Sequence, residues 1–216
     1  MSAHIRNATM RLAVATATSL SLTLLCLLAR PVNGQISDEG LKRQISSYAN
    51  DLCGVCHDRR TGNELAPRIA GQQRIYIEAQ LNAFRRVSRA EPEAYDCMWG
   101  LSSALSDGLV AALAAYFATQ TPRPGIPGNP IQVQAGQELF NRRGRDIPIP
   151  SCAQCHQESA TGKGAVPRLA GQLAPYLTRQ MQVIRAKWRA SPMMHGIVKD
   201  LTDEELRSLA IYLQSL

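Results

Sequence analysis

Two five-residue stretches in this chain combine a pair of thiols with an imidazole: Cys53-Gly54-Val55-Cys56-His57 and Cys152-Ala153-Gln154-Cys155-His156. C-x-x-C-H is the pattern through which haem c is attached to a polypeptide. On a helical turn, residues at i and i+3 share a face. Both thiols can then bond the two vinyl groups while the adjoining imidazole reaches the iron. Cys53, Cys56, Cys152 and Cys155 are therefore the expected covalent anchors of two haem c groups, and His57 and His156 their expected axial ligands. A redox C-x-x-C pair, or a zinc site assembled from both copies, would draw on the same residue types. The duplication and the export leader described below favour haem.

The other axial position of each iron separates electron transfer from catalysis. Past residue 34 the chain has three histidines, of which only His195 lies outside the two motifs. The first motif is followed, before the second, by a single methionine, Met98. Met98-Trp99-Gly100-Leu101 matches Met194-His195-Gly196-Ile197 at a spacing of 96 residues, which assigns Met98 and Met194 as the sixth ligands. Met193 and His195 are the alternatives at the second iron, and Met181, in a helical pattern opposite Leu81, reads as core.

The elements that position these groups are written as a repeat. Pro67-Arg68-Ile69-Ala70-Gly71-Gln72 recurs as Pro167-Arg168-Leu169-Ala170-Gly171-Gln172, and Leu105-Ser106-Asp107 recurs as Leu201-Thr202-Asp203. Between the copies, Thr121 to Asn129 and Pro130 form a proline- and glycine-rich linker that no helix interior could hold. Within each copy the apolar spacing is helical, with no competing strand pattern. Leu41, Ile45, Tyr48, Ala49 and Leu52 predict an amphipathic helix running into the first motif. Ile75, Tyr76, Ala79 and Ala83, matched by Tyr176, Gln180 and Ile184, predict a middle helix. Ser106 and Thr202 predict capped closing helices that bury Leu109, Leu113 and Tyr116 in one copy and Leu206, Leu209 and Leu213 in the other. The expected fold is all-α, in two tandem domains.

The first residues read as a signal peptide: Arg6 and Arg11, an apolar run from Leu12 to Ala29, and a small-residue cleavage site at Val32-Asn33-Gly34. The expected organisation is a signal peptide at 1–34, an N-terminal domain at 35–120, a linker at 121–133 and a C-terminal domain at 134–216. Export places the protein in the periplasm, with loose membrane association if the leader is retained as an anchor. Cys26 belongs to the leader, so Cys97 is the one cysteine left outside the motifs, and an odd number makes a poor disulfide framework. Apolar residues make up 45% of the chain but aromatics only 5%, so each short unit lacks the bulk that usually fills a core. A buried haem supplies it.

The formal charge of +7 falls to +4 without the leader, and no basic run is interleaved with aromatics, which excludes nucleic acid as a partner. Residues 35–121 carry nine basic and ten acidic side chains, and residues 122–216 carry twelve and seven. The C-terminal unit is thus expected to dock the more acidic partner, at a rate that falls as salt rises.

With both motifs, the repeated P-R-[IL]-A-G-Q segment and a Met-x-G sequence ahead of each closing helix, the chain from about residue 40 resembles the di-haem cytochromes c of the cytochrome c4 family. The resemblance implies two class I cytochrome c domains facing across a pseudo-two-fold axis, both haems His/Met ligated, in a periplasmic electron carrier. It also implies that the backbone carbonyls of Pro67 and Pro167 accept the Nδ1 protons of His57 and His156. The chain departs from the family in its basic Asp58-Arg59-Arg60-Thr61-Gly62 stretch and in Cys97 beside Met98, which reads as a small buried apolar residue.

A His/Met iron has no open position for substrate, and methionine sulfur raises its potential relative to bis-histidine. The expected function is electron transfer between respiratory partners, with a reductase or dehydrogenase as donor and a terminal oxidase as acceptor. An electron-accepting subunit of a periplasmic dehydrogenase is the alternative. A di-haem peroxidase fits less well, because it needs an iron that can open and a contrast between its sites.

Overall fold

Helices begin where the sequence places its capping side chains. The architecture comes from a computed structural model that describes residues 38–57, 64–142 and 150–216. The leader at 1–34, the stretch from Asp58 to Gly62 and the Arg143–Arg145 cluster lie outside the described residues. The first half runs α1 (Asp38–Tyr48), a π-helical turn (Ala49–Cys53), α2 (Gly54–His57), α3 (Arg74–Arg85), a second π-helical turn (Ala94–Met98), α4 (Trp99–Ser103) and α5 (Asp107–Ala118). The second half runs α6 (Pro130–Asn141), α7 (Cys152–His156), α8 (Ala174–Arg185), α9 (Pro192–Val198) and α10 (Asp203–Ser215). Among the described residues extended pairing is confined to isolated bridges, such as Arg89 with Arg189, so the fold is all-α.

Both closing helices start as expected. Ser106 Oγ accepts from Leu109 N at the head of α5. Thr202 does the same for Glu205 N at the head of α10, and the Glu205 carboxylate accepts from Thr202 N in return, a reciprocal capping box. Asn129 caps α6 by accepting from Ile131 N and Gln132 N, with Pro130 at the first helical position. The irregular stretch therefore ends at Asn129, and the last four positions of the 121–133 span are already helix.

α10 lies along α6 and α8, and α5 packs on α3. Gly136 lets α6 approach α10, because a Cβ there would collide with the Ser208 carbonyl. The second half buries Phe140, Leu173, Leu177, Leu209, Tyr212 and Leu213 in one cluster, with Met181 packed against it as expected. The first half buries a smaller set, Ala49, Leu105, Val110 and Leu113, with Ile45 and Tyr48 alongside.

Several expected faces are corrected. Leu41, near the start of α1, is exposed, and so is Leu52, where the π turn at Ala49–Cys53 takes the chain off the regular helical stripe. In α3 the buried residues are Ile77 and Phe84, Tyr76 and Ala83 are half-buried, and Ile75 and Ala79 are exposed, whereas the matched Tyr176, Gln180 and Ile184 of α8 are buried. Leu109 and Tyr116 are half-buried, whereas Leu206, Leu209 and Leu213 are fully buried.

The two copies meet through the repeated segment itself. Gln72 Oε1 accepts from Arg168 N at 2.7 Å and Gln172 Oε1 accepts from Arg68 N at 2.8 Å. Each amide then donates back, Gln72 Nε2 to Arg168 O and Gln172 Nε2 to Arg68 O. Gly71 and Gly171, both at positive φ, donate to the ends of the closing helices, at Phe117 O and Leu213 O. Reciprocal bonds between equivalent residues are what a two-fold relation between the halves requires.

Candidate functional site

A large cavity in the first half, about 210 Å³, collects the expected residues of that copy. Cys53, Cys56, His57 and Met98 all line it, together with apolar walls from Ile77, Leu81, Phe84, Leu105 and Leu113. His57 Nδ1 donates to Pro67 O at 2.7 Å, which leaves Nε2 as the nitrogen with a lone pair. Burial lowers the His57 pKa, against the opposing pull of that hydrogen bond, and so favours the neutral imidazole that a metal needs. Burial also pushes the Cys53 thiol up to about 11.

The second copy repeats the support of the imidazole, with better-packed surroundings. His156 is buried, and its Nδ1 donates to Pro167 O at 3.0 Å. The loop that presents Pro167 turns at Gly162, which is at positive φ, donates to His156 O, and has no room for a Cβ against the Pro167 carbonyl. Cys152 packs on the main core cluster, and burial raises its pKa. Met194 packs among Ile184, Val198 and Leu206, while Met193 is 71% exposed, which separates the two neighbouring thioethers.

Both methionines lie in helical backbone rather than in a loop: Met98 closes a π turn and Met194 sits inside α9. The residue after each one anchors it. Trp99 Nε1 donates to Arg89 O at 2.8 Å, and His195 Nδ1 donates to Ile184 O at 3.2 Å. His195 thereby has a structural task equivalent to that of Trp99. Cys97 is exposed at the mouth of the first cavity, so its reading as a buried apolar residue is corrected; the π turn rolls it outward as Met98 turns in.

The sequence reading missed a buried polar seam between the copies. Arg89 donates to Glu91, Gln80 and Gln180, and its guanidinium stacks on Phe84. Arg189 donates to Gln180, to the Tyr76 hydroxyl and to Gln80. Burial pushes the Tyr76 phenol up, but Arg189 and Arg89 outweigh it and hold the pKa below its ordinary value. Burial raises that of Tyr176. The matched spacing of Tyr76 with Tyr176 and of Arg89 with Arg189 was the available signal.

The first cavity suits haem by its donor set: two thiols and an imidazole on one wall, a thioether on another, apolar sides and a polar seam. Among the described residues no three His, Cys, Asp or Glu side chains cluster as a metal site of their own.

Comparison with known proteins agrees. Residues 133–216 match the family model described as cytochrome c. Cytochrome c-552 of Acidithiobacillus ferridurans is 36% identical, over 76% of this chain and 73% of the relative. Cytochrome c4 of Thiocapsa roseopersicina is 34% identical, over 78% of this chain and 88% of its own length. The solved cytochrome c4 of Acidithiobacillus ferrooxidans superposes with a TM-score of 0.71 at 34% identity, over 76% of this chain and 98% of that one. A thiosulfate dehydrogenase electron acceptor of Stutzerimonas stutzeri is 32% identical, over 74% of this chain and 76% of its own.

Proposed function

The chain belongs to the cytochrome c4 family of electron-transfer proteins with covalently bound haem c, and on that premise we propose that it is a periplasmic carrier passing electrons between respiratory partners towards a terminal oxidase. When bound, each haem c supplies an iron that exchanges one electron between its ferric and ferrous states. Cys53 and Cys56 hold the first group and Cys152 and Cys155 the second. His57 with Met98, and His156 with Met194, would ligate the two irons. Pro67 and Pro167 orient the imidazoles through the Nδ1 bonds, and Trp99 and His195 hold the methionine segments in place.

The observation that carries this reading is the convergence of Cys53, Cys56, His57 and Met98 on one cavity. A site with both axial positions filled excludes a substrate from the iron, which supports a carrier over a peroxidase. The surplus of basic side chains in residues 122–216 supports docking of the more acidic partner at the C-terminal half. No helix among the described residues is long and apolar enough to cross a membrane.

The test is intact mass with a visible spectrum of Met98→Ala and Met194→Ala. Both variants keep two haems, and each loses about half of the weak red band that a thioether–ferric iron bond gives. A Met194→Ala protein with its band intact, or peroxide turnover by the wild type, overturns the assignment. A second reading is supported by the relatives named as electron acceptors of thiosulfate dehydrogenase: service to one periplasmic dehydrogenase. Co-purification with such an enzyme, and reduction by it faster than by a general respiratory donor, favours that reading.

A further inference from the structure

Glu91 is the most deeply buried carboxylate of the seam and, like Glu93, has no counterpart in the other copy; Glu93 accepts from Arg179 across the seam at 2.7 Å, and its Oε2 is likewise unpartnered. Arg89 and Arg189 are equivalent and bridge to one another through their backbones, but two positions on, Glu91 in the first copy is matched by Ser191 in the second. Glu91 is 1% exposed. Its Oε1 accepts from Arg89 Nε at 2.8 Å, and its Oε2 has no hydrogen-bond partner. A buried carboxylate oxygen left unpaired is costly, and that cost needs a return. The hydrogen bonds of Arg189 go to neutral groups: the amides of Gln180 and Gln80 and the Tyr76 phenol. The carboxylate lines the same cavity as His57 and Met98.

We propose that Glu91 sets the difference in reduction potential between the two haems by lowering that of the first. The inference rests on the assignment of His57 and Met98 to the first iron. Reduction adds one electron to the centre, and a fixed negative charge in a low-dielectric wall raises the energy of the reduced form more than that of the oxidised form. Arg89 offsets part of this field from the Oε1 side, and the unpaired Oε2 retains the rest. The second copy, with Ser191, has the guanidinium without the carboxylate. An electron entering the protein at either haem therefore settles on the second, which gives the pair a direction from the N-terminal to the C-terminal half.

The test is a spectroelectrochemical titration of the full-length di-haem protein, with the ligand-methionine methyl resonances telling the haems apart; Met98→Ala identifies the first. Glu91→Gln keeps the shape and removes the charge. It is expected to shift the ferrous-to-ferric ratio of the first haem about tenfold towards ferrous at a fixed applied potential, or about 59 mV for one electron. The second haem shifts less, so the separation narrows. Glu91→Asp, which keeps the charge, restores most of it. Haem mass and the red methionine band, read on the same samples, check the ligand assignment separately. A Glu91→Gln protein with both haems, an intact band and an unchanged separation overturns the role of Glu91 while leaving that assignment standing. If Glu91→Gln does not fold, Ser191→Asp is expected to lower the second haem and narrow the separation from the other side, and an unchanged separation there overturns the proposal.

Discussion

In the C-terminal half, α7 carries Cys152 and His156 against a cluster that contains Phe140, Leu173 and Tyr212, and the Gln154 side chain accepts from Ser151 N at its head. In the N-terminal half, α2 follows directly from a π turn, its Val55 is exposed, and Cys53, Cys56 and His57 face a cavity of about 210 Å³. One plan has thus been filled to different degrees with side chains. The lesson is that a duplicated cofactor fold can divide its stability unequally between protein and cofactor, because a half with few buried side chains of its own must rely on the haem for apolar contact.

The largest test of that contrast removes the anchors one half at a time. Cys53→Ser with Cys56→Ser is expected to lose one haem mass together with a large share of the helical signal from α1 to α5. Cys152→Ser with Cys155→Ser is expected to lose one haem mass with a smaller loss of helix. Far-ultraviolet circular dichroism on both double variants reads the difference, and equal losses would break the comparison.

A middle-sized effect probes the feature on which the halves agree. Gln72→Ala and Gln172→Ala each remove two buried bonds across the seam. Each is expected to cost about 1–3 kcal/mol, by the same amount within error in denaturant unfolding. A clear inequality would show that the two-fold relation of the repeat does not extend to its energetics.

The smallest effect lies at the closing helices. Ser106→Ala and Thr202→Ala are each expected to cost about 1 kcal/mol, and Glu205→Ala removes the reciprocal bond that its carboxylate accepts from Thr202 N. The backbone bond from Thr202 holds the Glu205 carboxyl below its ordinary pKa. A carboxylate depressed on folding adds stability above its unfolded value, and that stability is lost as the pH falls through the folded value. The cost of Glu205→Ala should therefore be present at neutral pH and shrink below about pH 4. Thermal melts of Glu205→Ala and the wild type across that range check the sign.

Much of this was legible because it is local. Ser106 and Thr202 cap helices through atoms three residues away, so their types at those positions were enough. Met194 could be preferred from the repeat, although its separation from Met193 became visible only with 71% exposure of the latter. The middle helix α3 was legible from its spacing, but that Tyr76 and Gln80 point their polar ends into a seam with the other copy, leaving Ile75 and Ala79 exposed, depends on residues of the other copy. Cys97 was misplaced because the π turn at Ala94–Met98 inserts an extra residue into the helical period.

By itself the sequence determined the haem chemistry, the two-copy organisation and the helix starts: thioether spacing and end-capping depend on residues within a few positions of one another, and tandem similarity is read by laying one copy on the other without any contact between them. Only the tertiary structure decided what lies between the copies: the crossed bonds of Gln72 and Gln172, the paired guanidiniums of Arg89 and Arg189, and the buried carboxylate of Glu91. These groups lie about a hundred positions apart in the chain. No local spacing encodes their meeting, and their charges gain force only where folding has removed the water between them.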